Sequence, residues 1–154
     1  MHVRTHIIAM GKWKKGPEKD LFETYGARMR PAPVLKELDF RKKLSGAELK
    51  QAEAELLLNA VPNGAVIVAL DERGKTFSSR EFAGKIQKWQ DQGRGDIAFI
   101  IGGADGLDES VRARSDLLIS FGSMTWPHML VRPMLAEQLF RASAILSGHP
   151  YHRD

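Results

Sequence analysis

Residues 97–107 read IAFIIGGADGL, a run of five apolar residues that is followed at once by a glycine-rich loop. Two similar runs flank it in the chain, AVIVAL at Ala65–Leu70 and LLISF at Leu117–Phe121. Short runs of this kind, without alternation of polar residues, are typical of strands that are buried on both faces, as in a parallel sheet. Two further strands are predicted at Val3–Ala9 and Val34–Leu38.

Segments with helical features lie between the predicted strands. A proline in a first turn, an S-x-x-E capping box and apolar residues at helical spacing identify them. The alternation of strands and helices predicts a single α/β domain over residues 1–154, with a mostly parallel sheet flanked by helices. The five predicted helices are Pro17–Arg30, the segment from the capping box of Ser45 and Glu48 to Ala60, the segment from Ser79 through Phe82, Ile86 and Trp89, Asp108–Arg114, and Pro133–Leu146.

The composition is that of a globular protein with a basic first third. The chain has no cysteine, which excludes disulfides and thiolate metal sites and predicts a cytoplasmic protein. No apolar run approaches the roughly 20 residues that a membrane-spanning helix needs. Residues 1–50 carry 12 Lys and Arg against 6 Asp and Glu, whereas residues 51–154 carry 11 against 13. The basic part could contact phosphates, although a solvated face of mixed charge explains it equally well.

The loops that follow the apolar runs are the first places to look for a ligand, because ligands of open α/β sheets bind beyond the carboxyl ends of the strands. The loop DERGK after Leu70 predicts a tight turn at Gly74. The loop Gly102–Gly106 has three glycines in five positions, which allows a ligand close to the backbone. Its spacing matches neither a dinucleotide fingerprint nor a phosphate loop. A third loop carries Trp126 and His128, and together the three loops could line one adenosyl-shaped pocket.

The tail Gly148–Asp154, GHPYHRD, places an aromatic ring, two imidazoles and a guanidinium within seven residues. One interpretation is a frayed terminus without a role, and the other is a part of a functional site. The histidines His128, His149 and His152 form a weak ligand set, because the tail has no nearby carboxylate pair. We therefore predict no metal.

Four motifs in order, IIGGADGL, SFGSMTWPHMLVR, LAEQLFRA and HPYHR, resemble the RlmH family, the pseudouridine N3-methyltransferases of large-subunit ribosomal RNA within the SPOUT superfamily. Met10-Gly11-Lys12 and VALDERGK at 68–75 extend the resemblance to essentially the whole chain. Two positions depart from the family pattern. Pro133 stands where an aliphatic residue is expected, and Phe140 stands where tyrosine is common.

The resemblance implies a SPOUT-type α/β fold with a C-terminal trefoil knot, and a homodimer that binds S-adenosyl-L-methionine at the knot. It implies methylation of N3 of a pseudouridine in 23S rRNA, with the assembled ribosome as partner and with no membrane or DNA partner. The cofactor contacts that it implies are Leu70, Gly102, Phe121, Gly122, Ser123, Met124, Thr125 and Trp126. The residues that it places on the acceptor side, as candidate catalytic groups, are His128, Arg132, Tyr151, His152 and Arg153.

The N3 atom of pseudouridine must lose its proton to become a good nucleophile. By ordinary pKa, His128 and His152 are the candidate bases. Tyr151 could orient the nucleobase, and Arg132 or Arg153 could hold a phosphate or a developing oxyanion. Two rival functions stay open: a nucleotide-binding α/β protein with another ligand at the glycine loop, and a ribosome-associated factor that binds RNA without catalysis. The basic residues that could face RNA are Lys12, Lys14, Lys15, Arg28, Arg30, Arg41, Lys42 and Lys43.

Overall fold

A computed structural model describes residues 2–154, and it contains five strands, all parallel, in one sheet. The strands follow the order β2-β1-β4-β3-β5 across the sheet. The predicted α/β class with a parallel sheet is therefore confirmed. The strands are β1 (Arg4–Met10), β2 (Val34–Leu38), β3 (Val66–Lys75), β4 (Asp96–Ile101) and β5 (Leu117–Ile119).

Five helices cover both faces of the sheet. Alternate residues of each central strand point to opposite faces, so Ile7 and Phe99 belong to one core cluster while Ile8 and Ile100 belong to the other. The first cluster packs against α1, α3 and α5, and the second packs against α2 and α4. The helices are α1 (Pro17–Ala27), α2 (Gly46–Asn59), α3 (Ser79–Asp91), α4 (Glu109–Arg114) and α5 (His128–Ser147).

The tight turn predicted at Gly74 is wrong, because β3 continues to Lys75. Both Leu70 and Lys75 are paired with Ile119, so the residues between them leave the regular ladder while the strand goes on. Gly74 lies directly on the backbone of β5, where an added β-carbon would be 2.6 Å from the carbonyl carbon of Leu118 and 2.7 Å from the nitrogen of Ile119. The glycine is therefore needed for a close backbone approach.

Ser45 is the N-cap of α2 as predicted, but its capping box is absent, and the predicted start of the last helix is wrong. The hydroxyl of Ser45 makes no capping hydrogen bond, since the next residue, Gly46, has a φ of 59° and the chain enters α2 along a non-helical path. The capping box belongs to α3 instead, where Ser78 and Glu81 exchange hydrogen bonds of 2.8 and 3.1 Å. The last helix, α5, begins at His128, so that Pro133 is a buried interior residue that lacks the N–H for a hydrogen bond to the preceding turn.

Within residues 2–154, no helix combines the length and the apolarity that crossing a membrane would demand. The same residues contain no group of three or more His, Cys, Asp or Glu side chains placed to hold a metal ion.

Candidate functional site

A cleft of about 390 Å³ lies at the carboxyl ends of β3, β4 and β5. The irregular part of β3, the loops after β4 and β5, and the start of α5 form its walls. Its volume falls within the roughly 300–1,000 Å³ that is typical of small-molecule sites. The lining residues are Lys50, Leu70, Asp71, Glu72, Arg73, Ile101, Gly102, Gly103, Ala104, Asp105, Gly106, Leu107, Ile119, Ser120, Phe121, Gly122, Met124, Thr125, Trp126, His128 and Val131.

The structure brings together most of the residues that were expected to contact a cofactor. Of those eight residues, only Ser123 is not part of the lining. Three charged residues that were not anticipated, Asp71, Glu72 and Arg73, line the cleft because they leave the β3–β5 ladder at this point. The sequence did indicate these residues, because DERGK directly follows a buried strand. The interpretation of DERGK as a tight turn meant that they were not considered as part of the site.

The loop after β5 presents apolar side chains to the cleft. Met124 is 74% exposed and Trp126 is 40% exposed, so both side chains are accessible to a ligand. The indole N–H of Trp126 donates to the carbonyl of Phe121 at 3.3 Å. The buried hydroxyl of Ser120 donates to the carbonyl of Gly122 at 2.9 Å and accepts from the N–H of Gly122 at 3.1 Å. These hydrogen bonds fix the loop conformation and leave an aromatic face available for stacking.

His128 is the first residue of α5 and lines the same cleft. Burial lowers the pKa of its imidazole, and the positive charge of Arg132 lowers this pKa further. The side chain is therefore neutral at neutral pH, so one ring nitrogen is able to accept a proton.

Arg132 lies one turn after His128 in α5 and is fully buried. Its guanidinium donates to the carboxylate of Glu37 at 2.7 Å and to the carbonyls of Met10 and Gly11 at 3.0 and 2.6 Å. It also lies 4.8 Å from the centre of the Trp13 ring. A side chain with no exposed surface cannot reach an RNA phosphate, so this structure contradicts the expectation of a phosphate contact at Arg132.

The tail after α5 is packed against that helix, contrary to the interpretation of a frayed end. The ring of Tyr151 lies 4.6 Å from that of Phe140, and its hydroxyl donates to Glu137 at 3.1 Å. Burial, together with contacts to Tyr25 and Glu137, raises the pKa of Tyr151 to about 12. The tail is thus held by both apolar and polar contacts.

His152 and Arg153 continue the tail on the same side of α5. The imidazole of His152 lies 3.1 Å from Arg141 and 2.9 Å from Asp154, whereas Arg153 is exposed. The contacts of the tail are with the part of α5 around Phe140, which is twelve residues beyond His128 and thus about 18 Å further along the helix axis. Within one protomer the structure does not bring Tyr151, His152 and Arg153 together with the cleft.

Comparisons with solved structures show the same fold. The chain superposes on a probable methylase family protein from Haemophilus influenzae with a TM-score of 0.59 at 11% identity, over 100% of this chain and 72% of the other. It also superposes on a protein whose structure is described as giving insights into the 2-OH methylation of C/U34 on tRNA. That superposition has a TM-score of 0.52 at 19% identity, over 96% and 99% of the two chains.

Sequence comparisons are more specific. A family model described as "Predicted SPOUT methyltransferase" matches residues 3–152. Proteins named ribosomal RNA large subunit methyltransferase H from Paramagnetospirillum magneticum and Rhodospirillum centenum are each 58% identical over 151 residues, which is 98% of this chain and 99% of theirs. The protein of the same name from Dinoroseobacter shibae is 52% identical over 98% of this chain and 99% of its own. The chain therefore belongs to the SPOUT methyltransferases and, among them, to the RlmH family.

Proposed function

We propose that this protein transfers a methyl group from S-adenosyl-L-methionine to N3 of a pseudouridine in 23S rRNA, acting in the cytoplasm on the assembled ribosome. The observation that carries the proposal is the cleft at the ends of β3, β4 and β5, in a chain whose relatives named ribosomal RNA large subunit methyltransferase H align with it from end to end. The name of those relatives gives the ribosomal substrate.

The residues of the cleft fit S-adenosyl-L-methionine. Trp126, Phe121 and Leu70 offer apolar surface for the adenine ring, and Gly102 lines the cleft where its backbone packs closely against that of Gly106. The carboxylate of Asp105 supplies negative charge towards a ligand with a sulfonium and an ammonium group, whereas that of Asp71 is paired with Arg112. When bound, the cofactor supplies an activated methyl group. The protein has then to orient the acceptor and to receive its proton.

His128 is the best-placed base within one protomer. It lines the cleft, and its lowered pKa keeps it neutral and able to accept the N3 proton at neutral pH. A positioned base contributes on the order of 10²–10⁴-fold to the rate. Alignment of the reacting atoms contributes roughly 7–11 kcal/mol. Orientation is therefore the larger part of the expected catalysis, and removal of His128 should leave measurable activity.

The tail residues require a second copy of the chain in this proposal. Tyr151, His152 and Arg153 lie against the far part of α5, away from the cleft of their own protomer. We propose a homodimer in which the tail of one protomer supplies the acceptor side of the cleft of the other. A two-fold dimer would complete both sites in the same way.

Transfer of labelled methyl groups to ribosomes tests the function. We expect transfer to ribosomes that contain unmodified pseudouridine, weaker transfer to free 23S rRNA, and a mapped product at N3. Trp126→Ala should weaken equilibrium binding of S-adenosyl-L-methionine, while Trp89→Ala, which changes a tryptophan in α3, should not. Truncation before Gly148 should abolish transfer.

The rival functions give different results in the same experiments. A nucleotide-binding protein of another class would bind ATP or NAD more tightly than S-adenosyl-L-methionine. A ribosome-associated factor without catalysis would bind ribosomes, transfer no methyl group and tolerate loss of the tail. Either outcome would overturn the proposed function.

A further inference from the structure

The loop between β1 and α1 carries a concentrated positive charge beside the cleft. Residues 11–16 read GKWKKG, with three lysines and no acidic residue, and Lys12, Lys14 and Lys15 are all exposed. A β-carbon added at Gly11 would lie 3.8 Å from Nε2 of His128, so this loop begins next to the candidate base. Charged residues in such a place are available to a polyanion that enters the cleft.

An ion pair between the buried Arg132 and the part-buried Glu37 holds the start of this loop in place. Arg132 donates to the carbonyls of Met10 and Gly11 and pairs with Glu37, and Glu37 in turn accepts from the N–H of Trp13 at 2.8 Å. The Trp13 ring completes the arrangement, because it lies over the Arg132 guanidinium and contacts Phe22 edge to face at 5.1 Å. The pair thus connects β2 and α5 to the first residues of the loop.

A buried ion pair is weak evidence for stability, since desolvation of the charges offsets most of their attraction. Arg132 has no exposed surface, and its Nε–H finds no hydrogen-bond partner among residues 2–154, which adds to the cost of burying it. The contacts that the pair does make are with the backbone of one loop, which indicates a role in orienting that loop.

The charges that line the cleft itself nearly cancel, and Asp71 is also paired with Arg112 at 3.5 Å. Asp71, Glu72 and Asp105 line it, together with the cations Lys50 and Arg73. A polyanion is therefore attracted more strongly to the lysine side, next to His128, than to the lining of the cleft.

We propose that Arg132 and Glu37 are positioning residues, which hold Lys12, Lys14 and Lys15 beside His128 so that these lysines contact phosphates of the RNA around the target nucleotide. This inference rests on the proposed function for the identity of the RNA. The lysines contact the substrate directly, and the ion pair acts only through the loop that it holds.

Binding to ribosomes at several salt concentrations, measured by co-sedimentation, tests the lysines without requiring catalysis. Each of Lys12→Ala, Lys14→Ala and Lys15→Ala should lower the slope of log affinity against log salt by about 0.7–0.9, the value for one phosphate contact. Lys88→Ala, which removes an exposed lysine of α3, is the control and should leave the slope unchanged. Unchanged slopes in all three loop variants would overturn the proposal.

A pair of variants separates positioning from stability. Glu37→Gln leaves a buried charge at Arg132 and should both destabilise the fold and weaken ribosome binding, on the order of tenfold. Arg132→Met combined with Glu37→Gln removes both charges and should recover thermal stability. We expect ribosome binding and its salt slope to stay low in this double variant, while affinity for S-adenosyl-L-methionine equals that of the wild type. If ribosome binding recovers together with stability, the pair is only structural.

The two proposals fail in different ways. If the wild type binds ribosomes with the expected salt dependence but transfers no methyl group, the proposed function fails and the role of the loop stands. If the wild type methylates ribosomes but the lysine variants bind as it does, the role of the loop fails and the function stands.

Discussion

At Gly74 the backbone of β3 lies against the backbone of Leu118 and Ile119, and the space between them holds no β-carbon. We expect Gly74→Ala to destabilise the protein by about 1–3 kcal/mol, because the strands would have to separate. Gly84→Ala is the matched control. That glycine is within α3 with no atom close to an added β-carbon, so alanine should stabilise the helix by about 0.5–1 kcal/mol. Urea unfolding of both variants measures the difference, and equal stabilities would contradict the role of Gly74.

The sequence shows that Gly74 is unusual but not why. The neighbouring residues, here DERGK, do not distinguish a glycine in a turn from a glycine that packs against the backbone of another strand. The distinction depends on β5, which follows more than forty residues later. Arg132 presents the same difficulty, because its partner Glu37 is 95 residues away and a helical arginine is ordinarily expected in solvent.

His128 has a pKa that the surroundings shift in a testable direction. Its ordinary value is 6.5, and burial, followed by the charge of Arg132, lowers it. Folding therefore favours the neutral form of His128. Its contribution to the free energy of unfolding is fully present above pH 6.5 and is lost as the pH falls through the lower pKa of the folded state. NMR titration of the five histidines, with the resonance of His128 assigned from its absence in His128→Gln, should place His128 below 6.5. A value at or above 6.5 would contradict the burial argument.

Among the elements, the start of α5 and the end of β3 each lie five residues from the predicted boundary. Proline is favoured in the first turn of a helix, and the chain offers Pro127 and Pro133 within seven residues. The helix begins at His128, directly after Pro127, and Pro133 is a buried residue inside it. The other strands were more predictable, since a continuous apolar run is required wherever both faces of a sheet are covered. Thus β4, predicted over Ile97–Ile101, is observed over Asp96–Ile101.

The tail is attached to α5 through Tyr151, which gives a pH-dependent prediction. The pKa of Tyr151 is raised to about 12, chiefly by burial, above the usual value of 10. The neutral hydroxyl is favoured by folding, so its contribution to stability is complete below pH 10 and is lost as the pH rises through about 12. The phenolate absorbance of the wild type minus that of Tyr151→Phe should therefore appear above pH 10. Ionisation of Tyr151 near pH 10 would show that the tail is detached in solution.

For the whole molecule, the sequence predicted the layers but not the order of the strands. Alternation of strands and helices indicates a parallel sheet with helices on both faces. The same pattern is expected for many different strand orders. The observed order places β4 between β1 and β3, and it places β5 beside β3 although β4 and α4 separate them in the chain. These adjacencies are long-range and leave no local pattern. The C-terminal trefoil knot, which the family resemblance implies, stays a prediction.

The position of the tail within the whole molecule leads to a prediction about two protomers. The cleft lies at the start of α5, and Tyr151, His152 and Arg153 lie near its end. A chain with a damaged cleft, Trp126→Ala, and a chain with a damaged tail, Arg153→Ala, should each be inactive as homodimers. After unfolding and refolding as an equal mixture, half of the dimers combine the two chains, and each such dimer has one intact site if the tail acts on the partner.

Methyl transfer to ribosomes by this mixture should therefore recover to about a quarter of the wild-type rate, measured at equal total protein. Two separately refolded and then mixed samples are the control, and they should stay inactive as long as the dimers do not exchange chains. If each tail served the cleft of its own protomer, the mixed dimers would contain one site with a damaged cleft and one with a damaged tail. Refolding the two chains together would then restore no methyl transfer. An inactive mixture with normal dimer content would therefore exclude the proposal that each tail acts on the cleft of the partner protomer.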